Sequence, residues 1–260
     1  MRVAVLADIH GNSHALEAVL ADVAGQTVDQ VLCLGDLVGY GAFPNEVITT
    51  IRERGIPTIM GNYDEGVGFD LPACGCDFPD EQALLAGEKS LAWTQEQVTE
   101  ENKAFLRGLP RELWLDLAGV RTLAVHGSPR RNNEYLFATT PEEVWAALFA
   151  PDRAVEYQMH AGNWASGTRR ATAYQADLLL CGHTHQPYSR IFERHQIVNA
   201  GSVGKPKQGD PAAVYALLTI GETVAVEFKK VPYDVEAAAR AIEAAGLPAA
   251  FAAAVRTGRG

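Results

Sequence analysis

Short apolar runs of strand length punctuate the chain, and five of them stop at a polar residue of metal-ligand type. Val3–Ala7 precedes Asp8, Val31–Leu34 precedes Gly35-Asp36, and Ile56–Met60 precedes Gly61-Asn62. Thr122–Val125 precedes His126, and Leu178–Cys181 precedes Gly182-His183. Bounded runs this short read as buried strands. In the intervals between the first of them the apolar period lengthens to that of a helix. Ser13 is placed to cap a helix that buries Ala15, Leu16, Val19, Leu20 and Val23, and Asn45-Glu46 starts a second through Ile48 and Ile51. Strand, helix, strand, helix, strand is the opening of a parallel α/β sheet.

The pattern then changes. A long helical stretch is expected over Asp80–Arg107, and Thr140-Pro141-Glu142-Glu143 reads as a capping box with Pro at the first helical position. After His185, Ser189–Glu193, Gln196–Asn199, Ala213–Ile220 and Thr223–Lys229 follow one another as strands in hairpin-like succession, and a last helix starts from Asp234. Helices early and antiparallel strands late predict two sheets packed together with helices outside. We expect a single domain over residues 1–260, with 234–260 a C-terminal helical extension.

Composition narrows the function classes. Of 260 residues, 47% are apolar and 21% charged, which disfavours disorder and fibrous repeats. Lys plus Arg number 22 against 32 Asp plus Glu, a net charge of −10 without a basic stretch, so duplex nucleic acid is not an expected partner. The N-terminus begins directly with a strand-like run, and no twenty-residue uncharged apolar run occurs, so a soluble, cytoplasmic protein without a membrane partner is expected. Four cysteines, Cys33, Cys74, Cys76 and Cys181, are too few and too scattered for a secreted disulfide framework.

In open α/β sheets, ligands bind beyond the carboxyl ends of the strands, where successive loops converge. Five polar residues placed after five strands are therefore expected to meet. Asp8 and His10 stand two apart in the first loop, Asp36 and Asn62 follow the next two strands, and His126 and the pair His183 and His185 follow later ones. Each alone has an ordinary explanation, as a turn residue or a core histidine. Together, two carboxylates, an amide and four imidazoles are a hard-to-borderline donor set suited to two divalent ions sharing one carboxylate. Manganese, iron, zinc, nickel and cobalt are all admitted by these donors.

Asp8-Ile9-His10, Gly35-Asp36, Gly61-Asn62-Tyr63-Asp64, Val125-His126-Gly127 and Gly182-His183-Thr184-His185 resemble, in order, the five motifs of the calcineurin-like metallophosphoesterase superfamily, in its small bacterial and archaeal phosphodiesterase branch. The resemblance runs from residue 1 to about 220. It implies a four-layer α/β/β/α sandwich of two packed mixed sheets. It further implies that Asp8, His10, Asp36 and His185 hold one ion and that Asp36, Asn62, His126 and His183 hold the other, with Asp36 the bridge. The implied reaction is phosphoester hydrolysis by in-line attack of a hydroxide held between the ions, on an activated phosphodiester or a nucleotide. A phosphoprotein phosphatase, or a non-catalytic scaffold on the same fold, would share these motifs. No Gly-x-Ser-x-Gly elbow supports a serine hydrolase instead.

One position departs from the resemblance. Most of the superfamily has His where this chain has Tyr63, and that His donates a proton to the leaving group. A phenol is a weaker acid than an imidazolium, so Tyr63, with Asp64 beside it, implies a preference for good leaving groups. His14 and His160 are the other histidines to consider as donors, and His195 reads as a turn residue. Two loops are expected to touch substrate. Arg130, in Gly127–Arg131, is placed to pair with a phosphate oxygen, and the Gly-rich turn Asn199–Lys205, with Gly201 and Ser202, to offer donors to an anion. Cys74 and Cys76 read as structural thiols, dispensable for the chemistry.

Overall fold

Strand β1 (Arg2–Leu6) is buried on both faces, and its alternation divides two cores. Val3 and Val5 point into one apolar cluster and Ala4 and Leu6 into another, as a period of two requires. The computed structural model describes residues 1–150, 154–158, 166–170 and 173–259. The chain runs from β1 through helix α1 (Ser13–Ala24), β2 (Gln30–Cys33), α2 (Pro44–Glu53), α3 (Asn62–Gly68), α4 (Glu81–Gln97) and α5 (Glu100–Gly108). It continues through β3 (Glu112–Leu117), β4 (Val120–Val125), α6 (Glu142–Leu148), β5 (Ala154–Gln158) and β6 (Ser166–Arg170). The last part holds β7 (Leu178–Cys181), β8 (Tyr188–Phe192), β9 (His195–Asn199), β10 (Ala213–Ile220), β11 (Val224–Val231), α7 (Val235–Ala244) and α8 (Ala249–Thr257).

Two mixed sheets form, in the orders β11-β10-β1-β2 and β3-β4-β7-β9-β8, while β5 and β6 pair separately. Val3, Val5, Leu178, Leu180, Val198 and Ala216 meet in the cluster between the sheets. Helices α1, α2, α7 and α8 cover the outer face of the first sheet through Leu16, Ile48, Ile242 and Phe251. Helix α6 covers the second through Trp145 and Leu148, which pack with Leu179 and Cys181 of β7. The layers are those of the expected α/β/β/α sandwich. Among the described residues, no helix is long and apolar enough to cross a membrane.

Several local expectations are corrected. The stretch Asp80–Arg107 is two helices, because Val98 leaves helical geometry and the Thr99 side chain caps a new start by accepting from Asn102 N. Ile56–Met60 touches β2 only through the bridge between Cys33 and Thr58, and Pro57 in its midst has no N–H for a ladder. The cap of α1 is Asn12, whose Oδ1 accepts from Ala15 N at 3.1 Å. No capping box forms at α6: Thr140 Oγ1 accepts from Phe137 N instead, and Pro141 is the N-cap. The expected last helix is a pair, α7 and α8. His195 is no turn residue but the buried first residue of β9, donating to Ala176 O and stacked on Phe149.

Candidate metal centre

The loops after β1, β2, β4 and β7 are stitched to one another by their backbones. Asp8 N donates to Gly35 O, His10 N to Asp36 O, and Gly182 N to His126 O, at 2.8–3.0 Å. Holding these loops so close forces an unusual backbone. Asp8, His10, Asp36, His183 and His185 all have φ between 50° and 65°, the left-handed region that costs a non-glycine residue energy. Such strain persists where the surroundings impose it, and here it turns these side chains toward one point. Gly61 is required for the same closeness, since a Cβ there would lie 2.1 Å from Asp36 Oδ1.

Two groups of buried side chains result: Asp8, His10 and His185 in one, Asp36, His126 and His183 in the other, with the donor atoms of each group within 4.8 Å of one another. Asp36 Oδ2 stands between the groups, 3.6 Å from His10 Nε2 and 3.4 Å from His126 Nε2, while Oδ1 accepts from Tyr63 N. The imidazoles are oriented from behind. Nδ1 of His10, His126 and His185 donates to the carbonyls of Val38, Leu34 and Lys205 at 2.9, 2.7 and 2.6 Å, which directs each Nε2 inward. Asn62 Oδ1 lies 3.0 Å from His126 Nε2, and His183 Nε2, buried, has no hydrogen-bond partner among the described residues.

The charge states follow from burial and neighbours. Burial pushes His10 down to about 4 and His183 to about 3, and pulls His185 well below its ordinary value, so these three are neutral donors. Burial also works against the charged form of His126, but the Asp36 carboxylate outweighs it and brings that imidazole up to about 9. Asp8 is pushed up by burial to about 8. Burial opposes ionisation of Asp36 too, yet His126 and His10 outweigh it and set it at about 2. A buried set of carboxylate oxygens and imidazole lone pairs facing one another is poorly satisfied by itself and fits divalent cations.

Asp64 does not reach the centre. Its carboxylate accepts from the backbone N–H of Asp36, Leu37 and Gly61 at 2.8–2.9 Å, so it positions the Asp36 loop. Burial pushes it up to about 7, and the N–H donors work the other way. Tyr63 is buried as well. Its ring packs on Tyr40 at 4.6 Å and meets His10 edge-on at 5.5 Å, and its hydroxyl has no partner among the described residues. Burial raises the phenol well above 10, so it presents no ready proton.

The residues expected to touch substrate have partners within the chain. Arg130 is held by Glu134 in an ion pair four residues on. Ser202 is fully buried, its hydroxyl donating to Asp8 O and accepting from Lys205 N. Gly201 N donates to Asn199 Oδ1. This turn buttresses the ligand loops, as Asn199 Nδ2 also donates to Gly182 O at 2.6 Å. His14 Nδ1 is buried with no partner among the described residues and the ring lies 5.3 Å from Phe43, while His160 lies outside the described residues.

Other residues around the centre went unrecognised. Cys76 Sγ accepts from Asn62 Nδ2 at 3.2 Å, and Cys74 O accepts from the same nitrogen at 3.1 Å, so the two-cysteine turn touches a candidate ligand. Tyr135 packs on His183 with ring centroids 4.1 Å apart. Lys205 is buried beside His10 and lies over the Tyr40 ring at 4.7 Å. The Gly-rich turn already marked the Lys205 region in the sequence, whereas nothing there linked Tyr135 to His183.

The family model of the calcineurin-like phosphoesterase superfamily domain matches residues 1–223. An uncharacterized protein of Methanocaldococcus jannaschii is 30% identical over 261 residues, covering 95% of this chain and 93% of its own. Among solved structures, a metallophosphoesterase from Sphaerobacter thermophilus is 27% identical, with a TM-score of 0.72 and 99% of each chain covered. A hypothetical protein from Pyrococcus horikoshii shares the fold at 24% identity, with a TM-score of 0.80 over 99% of this chain and 98% of its own.

Proposed function

The chain belongs to the calcineurin-like phosphoesterase superfamily, and from that premise we propose that it is a dinuclear-metal-dependent phosphodiesterase acting on activated phosphodiesters or nucleotides. The observation that carries this reading is Asp36 Oδ2, within 3.6 Å of an imidazole from each group. One carboxylate oxygen so placed suits a bridge between two ions. Asp8, His10 and His185 would hold one ion with it, and His126, His183 and Asn62 the other. Two divalent ions supply Lewis acidity and a water acidic enough to be deprotonated near neutral pH.

The chain's own residues define the rest. The buried Nδ1 bonds keep the imidazoles in one tautomer and one orientation, so little reorganisation accompanies reaction. With Tyr63 buried, no phenol is offered to the leaving oxygen, which favours leaving groups that carry negative charge well. Metal content by elemental analysis, together with turnover of bis(4-nitrophenyl) phosphate before and after loading with manganese, cobalt, nickel or zinc, tests the reading. Two ions per chain and metal-dependent turnover are expected. A chain that takes up two ions and turns over no phosphoester would instead fit a scaffold.

A further inference from the structure

The turn Cys74-Gly75-Cys76 lies in the loop between α3 and α4, and its two thiol sulfurs stand 3.1 Å apart. Gly75 suits that approach. Its φ of 72° lies in the left-handed region, and a Cβ there would stand 2.5 Å from Asn133 Nδ2. Both thiols are half-buried, and Ala73, Gly75 and Asp77 around them are exposed, so a small solute can reach the pair. The other two cysteines are shut away, Cys33 at 1% and Cys181 at 0% exposure. Accessible thiols oxidise, whereas buried ones are inert.

The turn leans on one half of the metal centre. Cys76 Sγ and Cys74 O both accept from Asn62 Nδ2, at 3.2 and 3.1 Å. On its other side Gly75 O accepts from Asn133 Nδ2 at 2.8 Å, and Asp77 N donates to the hydroxyl of Tyr135, whose ring packs on His183. Asn62 and His183 belong to the same proposed ion site. Among the described residues the turn makes no hydrogen bond to Asp8, His10 or His185, the ligands of the other.

We propose that Cys74 and Cys76 are a reversible oxidation site whose disulfide weakens the ion site of Asn62 and His183 and leaves that of Asp8, His10 and His185 intact. This rests on the two-ion reading above. The oxidant is a hydroperoxide. Its O–O bond breaks as one sulfur becomes a sulfenic acid and water leaves; the second sulfur then attacks, the S–S bond forms, the S–O bond breaks, and a second water departs. Two thiols thus lose two electrons and two protons, and the peroxide is reduced to two waters. To bond, the sulfurs must close by about 1 Å, to a length of about 2.05 Å, which moves Cys76 Sγ off the position from which it holds Asn62. A disulfide closed across a single residue is strained, and strained disulfides are the readily reduced ones.

The test treats the full, chelator-stripped chain with hydrogen peroxide and removes the excess before analysis. Mass spectrometry of a digest should show the peptide of Cys74 and Cys76 lighter by two hydrogens, and dithiothreitol should restore it. Two-site titration with manganese should then find one binding step weakened at least about fivefold in the oxidised chain, the other unchanged, and both recovered on reduction. The double variant Cys74→Ser, Cys76→Ser has no thiol here to oxidise, so peroxide should leave its titration as it was, whatever its own affinity. Sulfinic acid or an intermolecular disulfide in place of the internal bond would overturn the inference. So would a disulfide that leaves both steps unchanged or weakens both equally, or a double variant as sensitive to peroxide as wild type. If reduced wild type binds fewer than two ions, the two-ion reading itself fails and takes the inference with it.

Discussion

His10 Nε2 and His185 Nε2 lie 3.1 Å apart, and neither has a proton to offer the other, since each ring gives its Nδ1 proton to a backbone carbonyl. Two lone pairs held face to face in a buried site repel, and a cation between them converts that repulsion into ligation. Metal should therefore stabilise the fold strongly. At free metal about a thousandfold above Kd, one site contributes about 4 kcal/mol, which is an unfolding temperature roughly 10 °C higher for a chain of this length. Calorimetry with and without chelator checks this. An unchanged transition would show that the histidines are satisfied without an ion.

Metal uptake should strengthen as pH rises from about 6 to 9. The protons that must leave sit on Asp8, pushed up to about 8, and on His126, held at about 9 by Asp36. His10 and His183, at about 4 and about 3, are already deprotonated in this window and add no slope. Each proton lost on binding makes the metal bind more tightly as pH increases, so log Kd should fall with a slope of between one and two protons per chain. Titration calorimetry in buffers of different ionisation enthalpy counts those protons directly. A slope of zero across pH 6–9 would contradict the assignment.

Asp36 and Asp64 should separate by mutation into a ligand and its support. Asp36→Asn keeps the shape but weakens the shared ligand, and should abolish turnover and most binding of a second ion while the fold survives. Asp64→Ala strips the acceptor from three buried N–H groups, each costing about 1–3 kcal/mol unpaired. It should therefore lower stability by several kcal/mol before any question of chemistry arises. Denaturant unfolding set beside elemental analysis distinguishes the two. An Asp64→Ala protein of wild-type stability with an empty centre would make Asp64 a ligand after all.

Much of this organisation is legible in the sequence, and the exceptions have physical causes. The strands β1, β7 and β10 are apolar runs because both of their faces are covered, and candidate ligands follow β1 and β7 directly at their carboxyl ends. Ile56–Met60 misleads because its apolar character serves burial while Pro57 prevents a ladder. Strand β3 escapes notice because it lies at the edge of its sheet, with Trp114 exposed at 47%. Arg130, Gly201 and Ser202 stand near motifs in the sequence, but nearness does not tell whether a neighbour already takes the donor. Glu134, four residues from Arg130, takes one.

Cys76 bears on metal binding through Asn62. The thiol accepts from Asn62 Nδ2 while Asn62 Oδ1 faces His126, so the sulfur helps fix which end of the amide points inward. Cys76→Ala should weaken one of two metal-binding steps by roughly fivefold, the worth of one ordinary hydrogen bond, whereas Cys76→Ser, which restores an acceptor, should recover most of it. Cys74→Ser should change little, because it is the Cys74 carbonyl that Asn62 uses. Two-site metal titrations of the three variants decide the matter, and identical behaviour of Cys76→Ala and wild type would return both thiols to a purely structural role.

Tyr63 provides the sharpest contrast between sequence position and physical role. It occupies the place where the motif resemblance implies a proton donor, yet its hydroxyl is buried with no partner among the described residues and its ring packs on Tyr40 and His10. A buried, unpaired hydroxyl costs about 1–3 kcal/mol, so Tyr63→Phe should hold or raise stability, with kcat on a nitrophenyl diester within about twofold of wild type. If no side chain protonates the leaving oxygen, log kcat/KM should fall steeply as leaving-group pKa rises, and the same slope should persist in Tyr63→Phe. Tyr63→His places an imidazole in the same cavity, and a shallower slope confined to poor leaving groups is expected if it reaches the departing oxygen. A flat plot for wild type, with chemistry rate-limiting, would mean that another group donates the proton. A loss of more than about tenfold in Tyr63→Phe would show that the phenol itself does.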